Sequence, residues 1–195
     1  MPYEAVPPIK HVQVIVNPAA GLDDPILKTL NTAFKAHGVS WDVSITNAAG
    51  DGARLARQAA EDGADVVAAC GGDGTLMEVA AGMVGSTVPL AFLPAGTGNV
   101  MASELRVPRR LDRAAELIFA PGSVVRPIDL GQVNDDYFIM RASIGFEAAV
   151  VEKTTREMKD RFGLLAYGVA ILEALAEPLN AHYHLTLDGE EVEVE

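Results

Sequence analysis

The run Gly71-Gly72-Asp73-Gly74-Thr75 stands where an apolar stretch, Ala64 to Cys70, gives way to residues at helical spacing. Glycines at the carboxyl end of a parallel strand let backbone N–H groups approach a phosphate, and the N-terminus of the next helix adds partial positive charge. The chemistry on offer is anion binding. Asp73 is repelled by bare phosphate, so a working role needs a Mg2+ ion between them or a hydroxyl whose hydrogen bond it accepts. A second run, Pro94-Ala95-Gly96-Thr97-Gly98-Asn99, follows the next apolar stretch in the same way. Neighbouring parallel strands put both loops on one edge, the usual ligand edge of an open α/β sheet, where together they can grip one nucleotide. A plainer account makes each loop a tight turn, with Asp73 or Thr75 capping a helix. It leaves the coincidence of the two loops unexplained. The G-x-G-x-x-G fingerprint of dinucleotide sites fails at Met77, and no Gly-Lys-Ser/Thr follows to make a Walker loop.

Other reactive residues are isolated. His182 and His184 flank Tyr183 on a predicted strand and share a face, but no third metal ligand stands at matching spacing. Cys70 closes an apolar strand and reads as a buried, reduced thiol. His11 and His37 read as strand-end or surface residues, and Trp41 as core packing. Arg106, Arg109, Arg110 and Arg113 cluster in sequence, as do Lys153, Arg156, Lys159 and Arg161. Such clusters are ordinarily solvated helix faces, and the sharper alternative is contact with anionic phosphates or lipid headgroups.

These loops must be positioned by strands and helices in alternation. His11 to Asn17 reads as a buried strand ending in the turn sequence Asn17-Pro18-Ala19-Ala20-Gly21. A helix follows, with Asp23 or Asp24 as cap, Pro25 in its first turn and Gly38 at its end. Ser40 to Thr46 is a second strand, Gly52 to Glu61 a helix closed by Gly63, and Ala64 to Cys70 a third strand. Thr75 to Val84 is helical, Pro89 to Leu93 a short strand, and Gly98 to Leu105 and Leu111 to Phe119 helical. The pattern predicts an α/β fold, a parallel sheet covered on both faces, over 1–122. After Pro121-Gly122 it changes. Val124 to Val133 and Tyr137 to Ile144 flank Asn134-Asp135-Asp136 as a hairpin, helices span Glu147 to Arg161 and Leu164 to Glu177, and Tyr183 to Leu187 turns through Asp188-Gly189 into Glu190 to Glu195. The expectation for 123–195 is a β-rich second domain, incomplete, whose last strand leaves Val192 and Val194 uncovered and open to homodimer pairing.

Composition narrows the classes. A chain of 195 residues, 49% hydrophobic and 22% charged, can bury a substantial core. Its longest apolar runs fall well short of the roughly 20 residues a membrane span needs. The first ten residues have no signal-peptide core, so the expectation is a cytoplasmic protein, at most peripheral at the membrane. A net charge of −12 argues against broad nucleic-acid binding, which depends on Lys and Arg neutralising phosphates.

The sequence resembles the diacylglycerol kinase catalytic domain family, which includes bacterial lipid kinases and sphingosine kinases and is related to NAD kinases and phosphofructokinases. The resemblance is carried by Val16-Asn17-Pro18 with Gly21, Gly71-Gly72-Asp73-Gly74-Thr75-Leu76-Met77-Glu78-Val79, Leu93-Pro94-Ala95-Gly96-Thr97-Gly98-Asn99, Ile128-Asp129-Leu130-Gly131 and Ser143-Ile144-Gly145-Phe146-Glu147-Ala148, in that order. It implies a nucleotide-binding α/β domain followed by a β-rich domain that helps form a lipid site. By the same resemblance Asn17, Thr46 and Gly71, Gly72, Asp73, Gly74 and Thr75 contact ATP, Gly96, Thr97 and Asn99 border the nucleotide and acceptor cleft, and Asp73 meets the metal through Mg-ATP. The implied activity is transfer of the ATP γ-phosphoryl group to a lipid hydroxyl, diacylglycerol-like or sphingoid, at a membrane surface. An ATP-binding regulatory module and a kinase of another acceptor such as NAD are the alternatives. Val100 stands where the family often has Asp, and Met140 and Arg141 where it often has Asn. The family's presumed catalytic base is expected beyond Glu195, with Asp188 the local candidate.

Overall fold

The computed structural model describes residues 4–5, 8–20, 25–143, 148, 183–187 and 189–194. In chain order its elements begin with β1 (Glu4–Ala5), β2 (His11–Val16), a 3-10 turn (Pro18–Ala20), α1 (Ile26–Ala36), β3 (Ser40–Ile45) and α2 (Asp51–Glu61). There follow β4 (Val66–Gly71), α3 (Asp73–Gly82), β5 (Leu90–Pro94), α4 (Val100–Glu104) and α5 (Leu111–Leu117). The short strands β6 (Val124–Val125), β7 (Gly131–Val133) and β8 (Asp136–Phe138) come next, then β9 (Tyr183–Leu187) and β10 (Glu190–Val194).

Strands β3, β2, β4 and β5 form a parallel sheet in that order. Side chains alternate between faces along each strand. Val12, Val14 and Val16 of β2 pack with Ala68 and Cys70 of β4 beneath α1 and α5, whose buried residues include Leu30, Phe34, Leu111 and Ala115. Ile15, Val67 and Ala69 face the other way, beneath Ala56 and Ala59 of α2 and Leu76 and Val79 of α3. Every residue of β4 is buried, because a central parallel strand has helices on both sides. Trp41 packs as expected, its ring edge-on to Phe34 at 5.5 Å. His37 is more than a surface residue: it stacks on Phe119 at 4.5 Å and its Nε2 lies 2.8 Å from Glu116 Oε2.

The helix ends follow sequence closely where glycine is present. Gly38 sits at φ +67 just past α1, with its N–H on Lys35 C=O and the Val39 N–H on Phe34 C=O, which is the Schellman arrangement. Gly63, at φ +86, repeats it after α2 through Ala60 and Ala59. At the start of α1 the N-cap position is Pro25, and the expected caps Asp23 and Asp24 lie outside the described residues.

After Pro121 the structure departs from expectation. The predicted long strand Val124 to Val133 is two short ones: Val124–Val125 pairs with β1, and Gly131–Val133 pairs with β8. Pro127 between them cannot donate to a ladder. Of the predicted strand Tyr137 to Ile144, the described residues form only Asp136–Phe138, opposite β7, with Asn134 at φ +53 in the turn, and Ile144 lies outside the described residues. Gly131 is glycine because the Phe138 ring covers it: a Cβ there would overlap that ring. The chain forms two compact units, Met1–Met140 and Arg141–Glu195. Segment 123–140, assigned from sequence to a second domain, therefore lies in the first unit, where β8 packs against α3 and Ile139 against the Ile15 core. In the second unit the β9–β10 hairpin is present, with Glu190 opposite Leu187 and Gly189 at φ +89. The predicted helices 147–161 and 164–177, and with them the second basic cluster, fall outside the described residues apart from position 148. Among the described residues no helix is long and apolar enough to cross a membrane.

Candidate functional site

The helix leaving β2 covers one face of the sheet and the helix leaving β4 covers the other. The carboxyl ends of these adjacent strands thus flank the switch point, where open α/β sheets bind ligands. The register places Val16 beside both Ile45 and Cys70, and Gly71 beside Pro94. As a result Thr46, Asn17, the Gly71 loop and the Gly96 loop follow one another along a single edge. Thr46 N–H donates to Val16 C=O, Asn17 N–H to Cys70 C=O and Ala95 N–H to Gly71 C=O, at 3.0, 3.0 and 2.7 Å, so the ladder runs on into the loops.

Each side chain is fixed locally. Asn17 Nδ2 donates to Thr75 Oγ1 at 3.0 Å, and Asn17 Oδ1 accepts from Ala19 N–H at 3.0 Å. Thr75 and Asn99 are the buried polar residues of the described core. Asn99, at φ +51, folds its amide back on its own loop: Oδ1 accepts from Gly96 N–H at 3.2 Å and Nδ2 donates to Gly96 C=O at 2.6 Å. Asparagine tolerates this left-handed backbone, which is why it ends a glycine loop. Thr97 and Gly98 are exposed at the tip.

The glycines divide into two kinds. A Cβ on Gly71 would overlap the Thr75 side chain, and one on Gly96 would lie 2.8 Å from Gly72 Cα and 2.9 Å from Asn99 Oδ1. Packing of the loops against each other and against Thr75 demands those glycines. Gly72 and Gly74 are different. A Cβ on Gly72 meets only Gly96 Cα, at 3.7 Å, and one on Gly74 meets nothing within 4 Å. Gly72 has φ −91 and ψ −173, extended backbone open to any residue, so the positive φ that a glycine loop can exploit is not used there. The space a side chain would fill at Gly72 and Gly74 is left open over the first turn of α3, whose N-cap makes no side-chain cap bond. That turn carries the N–H groups a helix cannot satisfy internally.

Asp73 caps a helix, as the plainer account allowed, but not the helix that it begins. Helix α3 starts there, two residues earlier than expected, and the carboxylate accepts Val100 N–H on Oδ2 and Met101 N–H on Oδ1, both at 2.9 Å. It thereby caps α4, whose own N-cap Asn99 makes no side-chain cap bond, and it ties the second glycine loop to the first. Each oxygen keeps a further lone pair. A second carboxylate on α3 was unassigned from sequence: Glu78 Oε2 accepts Gly52 N–H in the first turn of α2 at 3.0 Å. Beside it Asp51 Oδ2 accepts Asn47 and Ala48 N–H at 2.8 and 3.0 Å, closing the loop after Thr46. The Arg54 guanidinium above all, and then these N–H groups, pull the Asp51 carboxyl down to about 2.

Cys70 does not join this edge. The residue is fully buried behind it, and burial pushes its thiol up to about 12, the behaviour of an inert core group. Arg110 is held in a two-pronged contact by Asp112, at 2.7 and 3.1 Å, and Arg109 Nη2 lies 3.5 Å from Ser103 Oγ. In the second unit His184 Nδ1 faces Glu193 Oε1 across the hairpin at 3.1 Å. His182 and Asp188 lie outside the described residues. Among the described residues no three His, Cys, Asp or Glu side chains gather as a metal cage.

A parallel four-stranded sheet with helices on both faces and glycine loops at its switch point defines the class, an open α/β domain. Comparison with known proteins specifies it: residues 11–133 match the family model of the diacylglycerol kinase catalytic domain. Over 186 residues, 93% of this chain, the sequence is 32% identical to the diacylglycerol kinase of Bacillus subtilis, of which it covers 61%. Over 152 residues, 75% of the chain, it is 36% identical to the "Probable lipid kinase YegS-like" of Citrobacter koseri, of which it covers 50%. The crystal structure of a diacylglycerol kinase from Bacillus anthracis aligns with a TM-score of 0.58 and 30% identity, over 67% of this chain and 50% of that one. The chain belongs to the diacylglycerol kinase catalytic domain family, and it spans about half to three-fifths of the length of these relatives.

Proposed function

We propose that the chain is the nucleotide-binding part of a lipid kinase, holding Mg-ATP across its two glycine loops for transfer of the γ-phosphoryl group to a lipid hydroxyl. The observation that carries this reading is the open space at Gly72 and Gly74. Packing does not require glycine at either position, and an approaching phosphate does. Asn17 and Thr75 brace the floor of the loop, and the first-turn N–H groups of α3 meet the phosphate oxygens. In phosphoryl transfer the protein mainly positions groups and stabilises charge. A Mg2+ ion, when bound, would neutralise the phosphates. Such an ion keeps several waters and needs only one or two carboxylates beside the phosphates, and the free lone pairs of Asp73 fit that demand without a protein cage.

Membership of a lipid kinase family favours a lipid acceptor, and the open positions at Gly72 and Gly74 support ATP as the donor. Incubation with γ-labelled ATP, Mg2+ and separate pools of diacylglycerol, sphingoid base, NAD and sugar phosphate tests both. Label in a lipid is the expected result. Label in NAD or sugar phosphate alone replaces the acceptor, ATP binding by calorimetry with no labelled product favours a regulatory module, and absence of ATP binding overturns the reading.

A further inference from the structure

Helix α3 carries the first glycine loop at its N-terminus, and its two carboxylates reach out in different directions. Asp73 holds α4 and the Gly96 loop. Glu78 holds the first turn of α2, and through it the loop after β3. That loop has little else to fix it. Thr46 is tied at one end by its N–H on Val16 C=O, Gly50 sits at φ +84, and the N-cap Gly50 makes no side-chain cap bond to α2. Asp51 folds 47–48 back onto the helix start, so the position of α2's first turn sets the position of the loop. The contact is close by construction: a Cβ on Gly52 would lie 2.8 Å from both Glu78 Cβ and Glu78 Oε2. Gly52 is therefore glycine to let the Glu78 carboxylate reach its N–H. A carboxylate at a helix N-terminus gains from the charge of the donor end as well as from the hydrogen bond.

We infer that Glu78 is a positioning residue of the nucleotide site: it fixes the Thr46–Gly50 loop relative to the Gly71–Thr75 loop, so that both present their contacts to one nucleotide. This rests on the reading of Thr46 as a nucleotide contact. Glu78 touches no nucleotide; it acts through Gly52.

The test is a graded series on the whole chain, with two readouts. Glu78→Ala removes the acceptor, and Glu78→Gln keeps an uncharged one. Calorimetry with Mg-ATP should show roughly tenfold weaker binding for Glu78→Ala and a smaller loss for Glu78→Gln. Amide hydrogen exchange should accelerate at 46–52 in the same order, with the β4 amides unchanged. If Glu78→Ala does not fold, Glu78→Gln carries both readouts. Unchanged exchange at 46–52 overturns the clamp, and faster exchange there with wild-type ATP affinity overturns its role in binding. A wild-type chain that binds no ATP overturns the functional reading instead, while the exchange data still decide whether Glu78 holds the loop.

Discussion

Gly72 and Gly96 lie against one another yet are glycine for different reasons, and substitution separates them. At Gly72 a methyl group meets no atom closer than 3.7 Å on an extended backbone, so Gly72→Ala should melt within a few degrees of wild type while losing most of its ATP affinity. At Gly96 the same methyl is driven against Gly72 Cα and Asn99 Oδ1, so Gly96→Ala should lose about 1–3 kcal/mol by urea denaturation, whatever it does to binding. Equal stability losses in the two variants would show that the space over α3 belongs to packing. Asp51 offers a pH test. Its carboxyl titrates at about 2 in the folded chain against 3.8 for the free group, so between these values the unfolded chain binds the extra proton. The stability it confers is complete above the unfolded value and is lost as pH falls from about 4 through about 2. Asp51→Asn should therefore flatten the acid limb of the stability curve over that interval and leave its slope above pH 5 unchanged.

At the scale of elements, the end of α4 breaks the rule that α1 and α2 obey. Arg106 takes the left-handed position at φ +56, with its N–H on Ser103 C=O and the Val107 N–H on Ala102 C=O, where the equivalent sites after α1 and α2 hold Gly38 and Gly63. A side chain in that conformation costs about 1–2 kcal/mol. Glycine would remove the strain but give back about 0.5–1 kcal/mol of unfolded-chain entropy. The strain term wins by a small margin, so Arg106→Gly should raise stability by up to about 1.5 kcal/mol, seen as a higher urea midpoint at unchanged m-value. A drop in midpoint would mean that the Arg106 side chain contributes more than its backbone costs.

Over the first unit as a whole, Cys70 reports the integrity of the sheet. It is fully buried at the carboxyl end of the central strand, directly behind the glycine loop, and its thiol is pushed up to about 12. Alkylation needs the thiolate and access, so native chain should react only through opening of β4. Labelling should accelerate with urea in step with global unfolding. Fast labelling without denaturant would show that the core opens locally beneath the site.

How far the sequence reached follows from the range of each interaction. Strand and helix identity over 11–119 was legible because it depends on local alternation and on Gly38 and Gly63, which act within their own turns. The two glycine loops could be placed on one edge because strand direction in an α/β fold follows from the alternation itself. Other features turned on partners far along the chain. Asp73 caps α4 across 27 residues and Glu78 reaches Gly52 across 26, and no local pattern announces either contact. Likewise Val124 and Val125 pair with Glu4 and Ala5 at the other end of the unit, a partner that local propensity does not name, although Pro127 already marks where the strand breaks. The sequence by itself placed two glycine loops at strand-to-helix junctions, because that depends on local alternation and on turn residues. Tertiary structure alone decided which glycines serve packing and which leave room for a ligand, because that depends on what a missing Cβ would touch.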